Sequence, residues 1–464
     1  MQKFTSFILL LVCTLVWFNP AFAEKQLPPA GGKAKDFILT ETSTVSLENG
    51  LRIVFVPYGN TPKVTLRLVS KLGNYDDGDF DGIADLAYQL LTEGTKTQSA
   101  LEIAQRAADM GGQVNTSVGS NSSYLQMDVL SEFVGDAANL LGDLVLNSQF
   151  QAEDLDRARN NFLRNQTVQR SQAQGQAAET FNKAVFGSHP YSVTFADEDK
   201  IKAIQADTVA QFIQTNLVAK RSVMYVSGKF DQSQAEAAIK NAFAKLPSGS
   251  DRLIASPSYQ GAGKMIFVPR DNAPQSTIRF GLPVVDPSND DYIGLQLMNT
   301  LLGGSFASRI TSNIRENKGY TYSPSSTIST RVNSALWYET ADITAESTAA
   351  ALQEIINEIT RLQNEATSDE ELEGFKSYMS GIYVLQNSSR TGIINQLWFL
   401  ETYGLPLAHL ETYVQKINSI NPTDISALAK KYLTLDSMTL VVVGDETSVK
   451  PQLEANKQLA SLYH

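Results

Sequence analysis

Ile53–Arg67 reads IVFVPYGNTPKVTLR, and 212 residues later Met265–Arg279 reads MIFVPRDNAPQSTIR. The two align without a gap, with identities at Phe55/Phe267, Val56/Val268, Pro57/Pro269, Asn60/Asn272, Pro62/Pro274, Thr65/Thr277 and Arg67/Arg279. A second register holds farther on at an offset of 216. There Ile201, Ile204, Val209, Phe212, Leu217 and Gly228 face Ile417, Ile420, Ile425, Leu428, Leu433 and Gly444. Register kept at both ends of two long segments indicates a duplicated domain, since the period is too long for a solenoid.

Outward from these strands, each copy reads alike. A strand pair, a helix, further strands, a long helical stretch, a strand and a closing helix follow in order. In the first copy they fall near 43–70, 82–93, 113–130, 132–217, 222–228 and 232–245. Strands are indicated by alternation, as in Tyr124, Gln126 and Asp128 against Leu125, Met127 and Val129. Helices are indicated by spacing, as in Leu101, Ala104 and Ala108 after Ser99, and Leu140, Leu141 and Leu144 after Asp136. The fold class is α+β, two homologous halves each layering helices on a mixed sheet. The halves span 24–245 and 264–464, joined by a Ser/Gly/Pro-rich linker at 246–263.

Met1–Ala23 combines Lys3, an apolar run from Phe7 to Phe18 and Ala21-Phe-Ala23, the pattern of a cleaved secretory signal. Cys13 within it is the sole cysteine. The mature chain therefore has no disulfide, thiol nucleophile or cysteine metal ligand. A large unstapled exported chain points to a bacterial periplasm, and no later stretch is long or apolar enough to span a bilayer. Net charge is −11, and loss of Lys3 with the signal makes it −12. That balance disfavours nucleic acid and anionic membranes as partners.

The candidate functional stretch is Leu301–Pro324, LLGGSFASRITSNIRENKGYTYSP. Gly303-Gly304 releases the chain, Ser305 is the expected N-cap of a short helix, and Ile310 and Ile314 share its apolar face. Gly319 stops it, and Tyr320 and Tyr322 are expected on one side of a following strand. Arg315 and Tyr322 then flank one turn, a guanidinium and a phenol able to converge on a carbonyl oxygen. A solvated helix-end cation and a half-packed tyrosine fit the same residues.

This stretch resembles the second-half signature of the pitrilysin/insulinase-type zinc peptidases, which include mitochondrial processing peptidase. The matching positions are Gly303, Gly304, Ser308, Arg309, Ile310, Ile314, Arg315, Glu316, Gly319 and Tyr322. The resemblance covers nearly the whole mature chain and implies two similar halves closing as a clamshell around a chamber. It also implies that Arg315 and Tyr322 touch substrate opposite a zinc.

That zinc motif, H-x-x-E-H, has only its frame here: Gly82, Ile83, Ala84, Leu91, Gly94 and Thr95. The two His positions hold Asp85 and Gln89, the base position Tyr88, and the third-ligand position Gln166. Of three histidines, His189 matches a structural H-P-Y turn of the family, His409 follows a Gly-Leu-Pro turn, and His464 ends the chain. None is paired at ligand spacing, so this chain is expected to bind no zinc and to have no base for activating water. Asp77-Gly-Asp79-Phe-Asp81-Gly82 matches the opening of a calcium loop, but its closing Glu is missing, and a solvated acidic turn before a helix explains the same residues through the helix dipole.

The resemblance thus implies a non-catalytic subunit, with zinc in a separate H-x-x-E-H chain of a heterodimer. An extended peptide would add to a sheet edge, which in the family follows Gly111, Gly112 and Asn115. The rival reading is a peptide-binding or structural scaffold of the same fold, without catalysis.

Overall fold

The structure, a computed structural model, describes residues 38, 39 and 41–462; the signal-like segment and His464 lie outside them. The first half contains β1 (Ser43–Ser46), β2 (Arg52–Pro57), β3 (Lys63–Ser70), β4 (Val114–Val118), β5 (Ser123–Leu130) and β6 (Ser222–Gly228). They form one sheet in the order β1-β2-β6-β3-β5-β4. The second half contains β7 (Met265–Pro269), β8 (Gln275–Val284), β9 (Ser325–Arg331), β10 (Ser334–Thr344) and β11 (Thr439–Gly444). Their order is β7-β11-β8-β10-β9. Strand for strand this is the first sheet without β1. The one parallel contact of each sheet, β2–β6 and β7–β11, also recurs. A parallel neighbour needs a long crossover, and the helical stretches supply it.

β5 alternates as its sequence reads, with Leu125, Met127 and Val129 buried and Tyr124, Gln126 and Asp128 half-buried. β6 is buried at every residue, so both faces of the sheet are covered there. Helices of the first half pack on one face through Leu140, Leu141 and Leu144. The other face receives a helix from the second half, Arg390–Tyr403. Its Ile393, Ile394 and Leu397 meet Val56, Val69, Val223 and Tyr225. The exchange is reciprocal. Helix Ala173–Phe186 of the first half lays Ala177, Phe181 and Val185 on Leu336, Val441 and Val443 of the second sheet. Each Val, Leu, Ile or Phe side chain so covered contributes about 1.5–3 kcal/mol of apolar burial.

Polar anchors repeat with the helices. Thr65 donates to Asp128, which also pairs with Arg390 at 2.9 Å. Thr277 donates to Asp342, which accepts from Gln174 at 2.5 Å.

Residues 246–263 carry no helix or strand, yet they are pinned at several points. Arg252 pairs with Asp76 and donates to the Asn121 carbonyl at 2.9 Å, and the Gln260 amide donates to the Val185 carbonyl at 2.8 Å.

Helix Ala100–Asp109 starts at Ser99 with a full capping box to Glu102. Its buried face is Ile103 and Ala107, not the expected Leu101, Ala104 and Ala108, and Leu101 is 79% exposed. Alanines occur in both sets, so spacing alone could not choose the face. Among the described residues no helix is long and apolar enough to cross a membrane.

Candidate functional site

The signature segment begins where helix Tyr292–Leu302 ends. The Gly303 and Gly304 amides both donate to the Asn299 carbonyl, at 3.0 and 2.7 Å. A Cβ on Gly303 would meet Ser326 and Glu339 side chains under 3 Å away, so the loop needs glycine for close approach. Ser305 is not the N-cap. Its hydroxyl is buried without a partner, and its carbonyl instead accepts the Ser308 amide. Helical turns start at Arg309 and widen into a π-helix over Thr311–Asn317. Ile310 and Ile314 are wholly buried as expected, and Arg309 forks onto Glu371 at 2.8 and 2.7 Å.

Gly319, at φ +67°, ends the helix, and the Tyr320 amide reaches back to the Ile314 carbonyl at 2.8 Å. No strand follows at once. β9 begins only at Ser325, and Thr321 makes one isolated bridge to Ile343. Tyr320 packs half-buried on the core while Tyr322 is 77% exposed. The expected same-side strand pair is therefore absent: the reverse turn takes up the residues that alternation assigned to a strand.

Arg315 and Tyr322 do come together. The guanidinium carbon lies 4.6 Å from the Tyr322 ring centroid and 4.4 Å from that of Phe306, and Nε pairs with Glu316 at 3.0 Å. Phe306 is itself 66% exposed. It was not singled out from sequence; the signal was an aromatic set alone in a Gly/Ser loop.

The degenerate metal positions lie on helix Ile83–Leu90, entered through Gly82 at φ +83°. Asp85 and Gln89, one turn apart, line a cavity of about 670 Å³ together with Asn161, Asn165, Gln166 and Arg331. Arg315 and Tyr322 are not among the residues lining it. Asp85 accepts from Asn74 Nδ2 at 2.6 Å; burial pushes its carboxyl up, and that bond offsets part of the shift. Tyr88 has left the site for the core, its hydroxyl 2.5 Å from Ser70 Oγ, and burial raises its phenol well above the usual range.

Gln166 is committed elsewhere. Its Oε1 accepts the Ala196 amide and its Nε2 donates to the Ala196 carbonyl, both at 2.8 Å. An amide can close that ring; a carboxylate, lacking a donor, cannot. The donor set left for zinc is one half-buried carboxylate and one amide, which does not fit the ion. Among the described residues no group of three or more His, Cys, Asp or Glu could hold a metal.

The acidic turn is not solvated as expected. Asp77 is buried and accepts from the Gly82 and Ala84 amides at 2.7 and 3.0 Å, capping the helix. Burial pushes its carboxyl up to about 7 against the pull of those amides. Asp81 pairs with Lys200 at 3.1 Å, so two of the three calcium candidates are engaged.

His189 holds the expected turn, accepting the Tyr191 amide at Nδ1 and lying 3.2 Å from the Ala255 carbonyl at Nε2. That network assigns the proton to Nε2. His409 rests near Phe399, with its imidazole pKa lowered by burial and by Lys416. Asn115 stands on β4, the edge of the first sheet.

Two family profiles match along the chain. Insulinase (peptidase family M16) covers residues 52–198, and the peptidase M16 inactive domain covers 203–379. The chain belongs to the M16 peptidase family. It is an inactive-type, peptidase-like member, with Asp85, Tyr88, Gln89 and Gln166 in place of ligands and base.

An uncharacterized zinc protease, YmxG, of Bacillus subtilis is 22% identical over 391 residues, 84% of this chain and 95% of that one. A protein of Helicobacter pylori described as a non-peptidase homolog is 22% identical over 384 residues, 82% and 88% of the two chains. Among solved structures, the peptidase M16 inactive domain from Pseudomonas fluorescens superposes with a TM-score of 0.82 at 24% identity. It covers 88% of this chain and 98% of that one.

Proposed function

We propose that this M16 chain is the non-catalytic subunit of a two-chain periplasmic zinc peptidase. A separate chain with H-x-x-E-H supplies metal and base, and this chain supplies Arg315 and Tyr322. The observation that carries the reading is the pairing of half-buried Arg315 with exposed Tyr322, the guanidinium Nε held by Glu316. A phenol and a guanidinium at a scissile carbonyl stabilise the oxyanion of a tetrahedral intermediate. The substrate is an extended peptide added to a sheet edge, for which β4 with Asn115 is one free edge among the described strands.

The conversion of Tyr88 and Gln166 to packing and backbone-pairing roles favours a second reading, a scaffold without catalysis. Mixing separates the two. The purified chain and an H-x-x-E-H homologue, each inert on an internally quenched peptide pool, are expected to co-purify and cleave it together. A stable complex with no gain in cleavage supports the scaffold.

A further inference from the structure

Arg315 is held by more than Tyr322. Its guanidinium lies over two rings, Phe306 at 4.4 Å and Tyr322 at 4.6 Å, and Glu316 takes Nε. With two rings in contact with the cation and Nε tied to Glu316, the Nη nitrogens are what remain for a carbonyl or carboxylate. Core packing does not account for the rings, since Phe306 and Tyr322 are 66% and 77% exposed. Nor is Phe306 on a loose loop. Its segment is fixed by Asn299 at Gly303 and Gly304 and by the Ser308-to-Ser305 bond, and the following helix is locked by the Arg309–Glu371 fork.

We propose that Phe306 is a positioning residue that, with Tyr322, clamps Arg315 so that its Nη edge faces the substrate. The proposal rests on the two-chain reading above. An exposed cation–π contact of this kind is worth up to a few-fold in an equilibrium, and a guanidinium free to swing loses alignment with the carbonyl.

In the reconstituted complex acting on the quenched peptide pool, Phe306→Leu keeps an apolar side chain but removes the π face. It is expected to lower kcat/KM about fivefold, more through kcat than KM. Phe306→Trp, which restores a π face, is expected to stay within twofold. On an Arg315→Ala background Phe306→Leu should change nothing further, because its effect passes through the guanidinium. In the chain alone, with arginine labelled in its guanidinium, Arg315 should show slow Cζ–Nε rotation by NMR, and Phe306→Leu should speed it.

A silent Phe306→Leu beside a damaging Arg315→Ala overturns the inference alone. So does a Phe306→Leu loss that persists on Arg315→Ala, or unchanged rotation in the chain alone. An inert Arg315→Ala overturns the two-chain reading and the role of Phe306 with it.

Discussion

The two halves carry the same five-strand order and the same exchanged helix, yet matching places in them do different chemistry. In the first half, the helix after β3 and helix Ala152–Ser171 enclose a cavity rich in amides, with Asp85, Gln89, Asn161 and Asn165 on its walls. In the second, the helix after β8 and helix Asp369–Gln386 enclose a cavity of about 330 Å³ faced by Tyr292, Tyr378, Tyr383 and Tyr413.

Arg67 and Arg279, one repeat apart, differ as much. Arg67 donates to Gln126 and to Asn395 of the exchanged helix, both at 2.6 Å. Arg279 meets Phe181 from the other exchanged helix, with Tyr338 at 4.2 Å, and its Nε is buried without an acceptor. Duplication therefore preserves backbone positions, while the side chains that face them, Gln126 on the same sheet and Asn395 from the other half, decide whether the guanidinium is satisfied.

The largest expected contrast between the halves is kinetic. In the two-chain complex Tyr322→Phe should lower kcat roughly a hundred- to thousand-fold, as loss of one oxyanion donor does. Gln89→Ala, on the abandoned metal helix, should leave the rate within about twofold. A Tyr322→Phe complex within a few-fold of wild type would make the tyrosine packing and the second half no more functional than the first.

Next comes the amide ring in the first half. Gln166→Glu sets a carboxylate against the Ala196 carbonyl in a buried place, and should cost about 1–3 kcal/mol in urea unfolding. Full stability would mean that the ring does not hold this wall.

The repeat pair sharpens the comparison further. Arg67→Met removes two hydrogen bonds and strands the Asn395 oxygen, for a loss of about 1–3 kcal/mol. Arg279→Met exchanges a half-buried cation whose Nε lacks an acceptor for an apolar chain, and should fall within about 1 kcal/mol of wild type or stabilise. Equal losses at both positions would erase the distinction.

The last effect, confined to pH above the ordinary carboxylate range, concerns Glu339 on β10, whose two oxygens are buried without well-formed hydrogen bonds. Burial holds its carboxyl neutral well above the usual range, offset in part by the Ser325 amide. The folded chain thus retains a proton that the unfolded chain releases. Its contribution is intact below the ordinary carboxylate range and is lost as pH rises toward the raised value. Glu339→Gln should flatten this slope, seen as a Tm gain at pH 8 that vanishes near pH 4. An unchanged slope would place the pH dependence elsewhere.

Sequence alone determined what depends on residue identity and local pattern. The doubled FVP strand announced the duplication, alternation marked β5, and the glycines with Arg315 and Tyr322 marked the signature. The missing His-Glu-His chemistry was legible because a ligand is either in the sequence or absent. Tertiary structure decided everything set by distant partners. Ser305 was left out of any cap, its carbonyl taking the Ser308 amide, and helix Ala100–Asp109 turned Ile103 inward. Gln166 found Ala196 thirty residues away, and Phe306 closed on Arg315. The helices crossed between halves, which no local pattern specifies, because their apolar faces are completed only by the other half's sheet.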